Sequence, residues 1–115
     1  MKFKQLNFKK EYGKMILSGR KITTIRRSTN LRPGDIVELI AGGESCGYAK
    51  VLSVKKKKVS ELSDEDAVRD GFKDIKELIK ALKKHYHKIK PEMEVYIISF
   101  EKTDLSQKIS KKKAK

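Results

Sequence analysis

The stretch "GRKITTIRR", residues 19–27, brings three Arg, one Lys and two Thr together within nine residues. The β-branched residues inside it favour a strand, and Gly19 suits the position just after a helix end. Its basic side chains have two interpretations. Either they are solvated charges on a strand, or they belong to a site that holds an anion or a nucleobase. The segments on either side decide between these interpretations.

Short strands and turns surround this stretch. Apolar and β-branched residues predict strands over 22–26, 35–40, 46–54 and 94–100, and "KFKQLNF" at residues 2–8 predicts an edge strand whose lysines face outward. Pro33 and Gly34 mark a turn before the second of these strands. A helix is predicted within 9–19, because four apolar residues recur at helical spacing: Phe8, Tyr12, Met15 and Ile16. Gly13 weakens this prediction.

Two helix starts follow in the second half of the chain. Ser63 and Asp66 form the pattern of a capping box, and Gly71 would end the short helix after it. Asp74 begins a longer helix, predicted over 74–87. Its apolar face consists of residues at helical spacing: Ile75, Leu78, Ile79, Leu82 and Tyr86.

Composition indicates one small, strongly basic domain. A chain of 115 residues fits a single domain. Lys and Arg outnumber Asp and Glu by 29 to 15, which gives a net charge of +14. A lysine-rich surface also arises from heat adaptation, but that would predict a better balance of charge. The excess favours a nucleic-acid partner, specifically RNA.

Location and cofactor expectations follow from what the sequence lacks. The single Cys46 excludes an internal disulfide and suits a reducing compartment. No apolar run approaches the roughly 20 residues of a membrane span, so we expect a cytoplasmic protein with no membrane partner. His85 and His87 point apart on a helix, so neither a metal nor a cofactor is predicted. The basic segment 105–115 is predicted to be disordered, which leaves a domain of residues 1–104. The oligomeric state stays open.

The order of these elements predicts an α+β fold, a small barrel with flanking helices. It resembles the ASCH (activating signal cointegrator homology) family, whose fold is similar to the PUA RNA-binding domain. The family pattern reads roughly Gly-x-Lys-Thr-x-Thr-x-Arg, and this sequence matches it at four places: Gly19, Lys21, Thr24 and Arg26. The later "GD", the acidic residue followed by "GF", and the closing "I-x-F" also match, so the resemblance covers residues 3–101.

The resemblance implies a site and an activity. Small bacterial amidohydrolases of this family remove acetate from N4-acetylcytidine with a Lys, a Thr and a Glu. By position these are Lys21, Thr24 and, in place of the Glu, Asp70. Asp70 is one methylene shorter than the Glu, and Ile22 stands where the family usually has Thr. The chain therefore resembles these amidohydrolases but departs from their pattern at two positions, Ile22 and Asp70.

Amide hydrolysis needs an activated oxygen, a proton for the leaving amine and donors for the oxyanion. A lysine acts as a base only when burial or nearby cations lower its pKa. Arg20, Arg26 and Arg27 would supply such cations, and Arg26 would also stabilise the oxyanion. In a regular strand Lys21 and Thr24 point to opposite faces. They converge only if Lys21 lies in the turn before the strand.

Other basic and aromatic residues have two interpretations. Tyr86 either packs in the core or stacks on a base. The four lysines at 55–58 are either a solvated strand end or contacts that add RNA affinity by counterion release: Lys55, Lys56, Lys57 and Lys58. Three functions therefore compete: an amidohydrolase of N4-acetylcytidine or a related modified nucleoside, a non-catalytic RNA-binding module and, more weakly, a ribonuclease.

Overall fold

The computed structural model describes residues 3–103 and confirms the α+β class. In chain order the elements are β1 (Lys4–Phe8), a 3-10 turn (Lys10–Tyr12), α1 (Gly13–Leu17), β2 (Thr23–Arg26), β3 (Ile36–Ala41), β4 (Glu44–Lys58), a second 3-10 turn (Val59–Glu61), α2 (Asp64–Arg69), α3 (Ile75–His85) and β5 (Glu94–Thr103). The segment 105–115, predicted to be disordered, lies outside the described residues.

All five strands form one sheet in the order β1-β3-β4-β5-β2. The β1–β3 pair is parallel and the other three pairs are antiparallel. The sheet curls into a half-barrel, so the predicted barrel is open between its edge strands β1 and β2. A side chain spans this opening: Arg26 Nη2 on β2 donates a hydrogen bond of 2.7 Å to the Asn7 carbonyl oxygen on β1.

Apolar side chains pack on both faces of the sheet. One core fills the half-barrel: Leu6, Ile16, Leu31, Val37, Leu39, Ala49, Val51, Ile98 and Phe100. The other lies beneath α2 and α3: Ile25, Val59, Leu62, Ala67, Leu78, Leu82, Val95 and Ile97. Successive β5 residues alternate between the two cores, which explains the nearly continuous apolar run of "VYIISF".

Several predicted boundaries differ from the structure, most clearly in the first helix and in β4. The helix predicted within 9–19 is a 3-10 turn followed by a single α-helical stretch from Gly13, and Phe8 ends β1 instead of joining that helix. Strand β4 continues through Lys58, four residues beyond its predicted end, because it stays paired with β5 along that length. Val51 is fully buried and the next residue, Leu52, is 50% exposed, as the alternation of side chains along a strand requires.

The helix signals of the second half are confirmed. Ser63 Oγ accepts a hydrogen bond of 3.2 Å from the Asp66 amide, and the Asp66 side chain accepts one from the Ser63 amide. Asp74 Oδ1 caps α3 through the Glu77 amide at 3.0 Å. The helix ends at His85, two residues before the predicted end, because Tyr86 is extended with φ −127°.

Within residues 3–103 no helix has both the length and the apolar character to cross a membrane.

The second core predicts a large difference between two Leu→Ala substitutions. Leu78 is fully buried, whereas Leu17 is 60% exposed. We expect Leu78→Ala to lower the free energy of unfolding by about 2–5 kcal/mol, since it leaves a cavity. Leu17→Ala should change it by no more than about 0.5 kcal/mol. Urea unfolding followed by circular dichroism measures both, and equal losses would contradict the assigned core.

Candidate functional site

The turn after α1 places Lys21 outside the regular part of β2. The Lys21 amide donates to the Met15 carbonyl oxygen at 3.0 Å, and the Ile22 amide donates to the Arg69 carbonyl oxygen at 2.9 Å. Strand β2 begins at Thr23. Lys21 therefore lies in the turn that precedes the strand, which is the placement needed for its side chain to approach the site.

The end of α2 meets this turn at close range. Asp70 caps the helix, and Gly71 follows with φ +95°. A Cβ atom at Gly71 would lie 3.0 Å from Met15 Sδ and 3.4 Å from Lys21 Cβ. Both the left-handed backbone and the tight contact therefore favour glycine here. The close approach brings the Asp70 carboxyl group to the Lys21 amine.

Lys21 and Asp70 form a buried ion pair. Lys21 Nζ lies 3.1 Å from Asp70 Oδ1 and donates a second hydrogen bond of 3.0 Å to the Asp70 carbonyl oxygen. Both residues are only 4% exposed. Thr23 Oγ1 also donates to Asp70 Oδ1, at 3.0 Å. The carboxylate is thus held by one cation and one hydroxyl, in surroundings nearly free of bulk water.

Burial shifts both pKa values toward the neutral pair. Loss of water lowers the pKa of Lys21, the charge and hydrogen bond of Asp70 oppose this shift, and Arg26 adds to it. Burial likewise raises the pKa of Asp70, against the opposing effects of Lys21, Thr23 and Arg26. Both shifts bring the pKa of Lys21 and the pKa of Asp70 closer together, which is the direction expected for a lysine that acts as a base.

Aromatic rings surround the Lys21 amine. Its Nζ atom lies 5.2 Å from the ring centre of Tyr12 and 5.8 Å from those of Phe8 and Phe72. Ring faces attract a cation without giving it a counter-charge. The same rings supply flat apolar surfaces on which a nucleobase can stack.

These groups line a cavity of about 280 Å³ beside the edge strand β2. Its lining comes from β1, the 3-10 turn, β2, the end of α2 and α3: Asn7, Phe8, Lys9, Tyr12, Lys21, Thr24, Ile25, Arg26, Asp70, Phe72, Leu78, Ala81, Leu82, His85 and Tyr86. Ligand pockets usually measure about 300–1,000 Å³, so this one suits a small ligand such as a single base with its sugar.

Thr24 and Arg26 form a second polar group in the cavity. Arg26 Nε donates to Thr24 Oγ1 at 2.9 Å, and the guanidinium lies 5.1 Å from the ring centre of Phe8. Because Thr24 Oγ1 accepts this hydrogen bond, its own hydrogen is free to point to another acceptor. A cationic donor on this oxygen also stabilises it when it loses its proton.

Tyr12 and His85 form a third polar group at the same cavity. Tyr12 Oη lies 3.0 Å from His85 Nε2. Burial raises the pKa of Tyr12, with smaller effects from Glu11 and Asp70, so the phenol keeps its proton. Burial also lowers the pKa of His85, and nearby Lys9 lowers it further. At neutral pH this pair is therefore uncharged.

The structure separates the residues that the sequence singled out. Five of them line the cavity: Lys21, Thr24, Arg26, Asp70 and Tyr86. Arg20 and Arg27 are exposed and lie outside it, and Arg27 Nη1 donates to the Glu94 carbonyl oxygen at 3.1 Å. Of the three arginines, only Arg26 contributes to lowering the pKa of Lys21. The lysines at 55–58 lie at the end of β4, also outside the cavity lining.

Several residues of the site carry no clear functional signal in the sequence. Tyr12 and His85 are 73 residues apart, so no local pattern connects them. Phe8 and Phe72 look like ordinary core residues in the sequence. Thr23, which donates to Asp70, could have been found from the sequence. Strand alternation puts its side chain on the opposite face of β2 from Thr24, toward α2. Tyr86 fits both of its interpretations, since it packs on the second core and also lines the cavity.

Metal-binding side chains do not gather here. Within the described range of the chain, no three His, Cys, Asp or Glu side chains lie close enough together to hold a metal ion.

The ion pair predicts the direction in which an Asp70→Asn substitution moves the pKa of Lys21. The carboxylate raises that pKa, so its loss should lower the pKa further below the ordinary value of 10.5. A pH titration of the Lys21 side-chain carbon signals by NMR measures this. Glu92→Gln, which removes an exposed acid elsewhere, should leave the pKa unchanged. An equal or higher Lys21 pKa in Asp70→Asn would contradict the pairing.

The chain is similar to known proteins in both sequence and fold. The ASCH domain family model matches residues 1–104. An Enterococcus faecalis protein has 17% identity and a TM-score of 0.70, covering 90% of this chain and 82% of that one. An ASCH domain from Lactobacillus crispatus has 14% identity and a TM-score of 0.71, with coverage of 84% and 79%. A mutant ASCH protein from Zymomonas mobilis has 18% identity and a TM-score of 0.62, with coverage of 90% and 76%. No curated protein matches significantly. Because the family model spans nearly the whole chain, this protein belongs to the ASCH domain family.

Proposed function

We propose that the protein hydrolyses the amide bond of N4-acetylcytidine or of a closely related N4-acylated cytosine. The observation that supports this best is the Lys21–Asp70 ion pair, which is buried in an aromatic-walled cavity of base-sized volume. An uncharged substrate with a flat ring suits the walls, and an amide suits a lysine whose pKa is lowered.

Lys21 acts as the general base in this proposal. When the proton of its ammonium group passes to Asp70, the neutral amine can accept another from an attacking oxygen. Burial disfavours the charged form of each group, so the pKa of Lys21 is lowered and the pKa of Asp70 is raised. General-base catalysis by such a group contributes about 10²–10⁴-fold to the rate.

Thr24 supplies the attacking oxygen. Its hydroxyl proton passes to the Lys21 amine while Oγ1 bonds to the acetyl carbon, and the carbonyl electrons move to oxygen. Arg26 Nε already donates to Thr24 Oγ1, so the emerging alkoxide is stabilised before it attacks. The C–N4 bond then breaks, and the Lys21 ammonium returns its proton to N4, releasing cytidine.

Water completes the cycle. It attacks the acetyl group on Thr24 while Lys21 again accepts a proton, and acetate leaves as Thr24 Oγ1 regains its hydrogen. The net reaction consumes one water and yields cytidine and acetate. Arg26 Nη1, which has no hydrogen-bond partner within residues 3–103, is the available donor for the oxyanion in both steps.

Rates of cytidine release test these roles. We expect Lys21→Ala to lower kcat by at least about 10²-fold, the scale for loss of a general base. Thr24→Val, which keeps the shape but removes the hydroxyl, should fall similarly, and Thr24→Ser should keep most of the activity. For the wild type, kcat/KM should rise with pH as Lys21 loses its proton, at a pH below its ordinary pKa of 10.5. Chromatography of the released cytidine gives each rate.

Lys76→Ala, on the exposed side of α3, is the matched control for a lost lysine and should retain full activity. Mass spectrometry of the quenched reaction should detect the protein 42 Da heavier in Thr24→Ser and in the wild type, the mass that an acetyl group adds. Activity of Thr24→Val equal to that of the wild type would show that water attacks directly. Folded wild-type protein without turnover would overturn the proposal.

An RNA-binding module is the second candidate, favoured by the lysines at the end of β4. Lys56 Nζ lies 3.8 Å from Glu94 Oε2, and Lys57 Nζ lies 2.9 Å from Asp66 Oδ2. Lys55 and Lys58 are exposed and have no ion-pair partner within residues 3–103. Unpaired lysines can neutralise phosphates without first breaking a contact with an acid.

Lysines with an ion-pair partner and lysines without one should contribute differently to the salt dependence of RNA affinity. The double variant Lys55→Gln/Lys58→Gln should reduce the slope of log K against log salt for single-stranded RNA by up to about 1.4, from about 0.7 for each phosphate. The matched variant Lys56→Gln/Lys57→Gln should reduce it less. Fluorescence anisotropy across a salt series measures both slopes. Unchanged slopes in both variants would exclude this strand end as an RNA contact.

A further inference from the structure

The cavity described above has more positive charge than an uncharged nucleoside needs. Within residues 3–103, its lining includes three basic side chains, Lys9, Lys21 and Arg26, but only one acidic side chain, Asp70. Lys21 and Asp70 together contribute no net charge, whichever group holds the proton. Two positive charges therefore remain, on Lys9 and Arg26.

Lys9 is the more available of these two cations. Arg26 lies in the cavity and already donates to Thr24 and Asn7. Lys9 is exposed, lines the cavity and has no ion-pair partner within the described part of the chain. The acidic Glu11 lies close enough to influence Tyr12 and His85, but it does not line the cavity. Lys9 therefore presents a free ammonium group at the exposed end of a base-sized cavity.

We propose that Lys9 forms a phosphate subsite, so that the preferred ligand is a cytidine nucleotide or a cytidine within RNA instead of the free nucleoside. This inference rests on the proposed function, because it assumes that the base occupies the aromatic part of the cavity. A phosphate on the ribose would extend from the buried base toward the exposed side, where Lys9 lies. An ammonium–phosphate contact is a charge-assisted hydrogen bond, among the stronger polar contacts in proteins.

His85 provides a readout that does not depend on catalysis. Its ring contacts Tyr12 in the cavity, and Lys9 is one of the cations that lower its pKa. A bound phosphate dianion would offset the charge of Lys9 and Arg26, so the pKa of His85 should rise. Glu11 and Lys21 act on the same ring, and neither is part of the proposed subsite. His87 lies outside the cavity lining and serves as an internal reference.

The experiment compares four probes that cannot be hydrolysed by the proposed reaction: cytidine, cytidine 5′-monophosphate, cytidine 3′-monophosphate and inorganic phosphate. Calorimetry gives their affinities for the wild type, for Lys9→Gln and for Lys10→Gln. Lys10→Gln makes the same change in total charge as Lys9→Gln. Lys10 is exposed and adjacent in the chain but lies outside the cavity lining, so this variant is the matched control. NMR titration of His85 with each probe gives the second readout.

We expect one of the monophosphates to bind the wild type about tenfold more tightly than cytidine, the ratio that a difference of about 1.4 kcal/mol produces. Lys9→Gln should remove this preference, so that the monophosphate binds about as tightly as cytidine. Lys10→Gln should keep it. The pKa of His85 should be higher with the preferred monophosphate bound than with cytidine bound, because both ligands place the same base in the cavity and only one carries the phosphate.

A trinucleotide with a central cytidine distinguishes the two sources of the phosphate. Tighter binding of the trinucleotide than of either monophosphate, with the same dependence on Lys9, would identify RNA as the ligand. Tighter binding of a monophosphate would identify a free nucleotide. Both results support the subsite.

Equal affinities for cytidine and both monophosphates would overturn the subsite, as would equal losses in Lys9→Gln and Lys10→Gln. Hydrolysis of free N4-acetylcytidine by the wild type, measured separately, would then leave the proposed function standing. If neither cytidine nor a monophosphate binds and no acetylated substrate is hydrolysed, the subsite and the proposed function both fail.

Discussion

The buried contact between Lys21 and Asp70 is the constraint on which the rest of the site depends. Taking two ionisable groups out of water costs several kcal/mol for each ion, and their attraction offsets this cost only in good geometry. Here the geometry is fixed from both sides, by the turn before β2 and by the capped end of α2. Removing either partner would leave the other unpaired in the interior, a change that typically costs about 3–5 kcal/mol. Two apolar side chains would fill the same space without that risk. Because the pair lines a cavity, its chemistry offers a better reason for its presence than stability does.

The cavity exists because the sheet stops short of closing. Strands β1 and β2 are edges of a curled sheet, and the Arg26 side chain bridges them where backbone pairing would otherwise close the barrel. An edge strand gives access to both faces of a sheet. Thr24 and Arg26 project from β2 on the side of the half-barrel, whereas Thr23 reaches Asp70 beside α2. One short strand thus supplies groups to the cavity and also holds the carboxylate behind it.

Much of this fold could be predicted from local patterns, and the exceptions have physical causes. The capping residues Ser63 and Asp74 correctly predicted where α2 and α3 begin, because a capping pattern involves only residues within one helical turn. The predicted range 46–54 stopped before the lysines because consecutive lysines give no periodic signal, and 55–58 is the strand end that one of their two interpretations described, paired with β5. The position of Lys21 required one further fact, the start of β2, which alternation alone does not supply. The aromatic wall was beyond prediction, because tertiary packing of distant segments brings Tyr12, Phe72 and His85 together.

The shorter carboxylate at position 70 fits this geometry. Lys21 Nζ binds two oxygen atoms of the same residue, the Asp70 carbonyl oxygen at 3.0 Å and the side-chain Oδ1 at 3.1 Å. A side chain with one methylene can place its carboxylate close to its own backbone, so a single lysine amine reaches both acceptors. A Glu at this position would carry its carboxylate farther from the backbone carbonyl, so one amine would reach both oxygen atoms less readily. The Asp is thus matched to the short distance between the turn and the helix end, and Lys21 keeps a carboxylate partner to which its proton can pass.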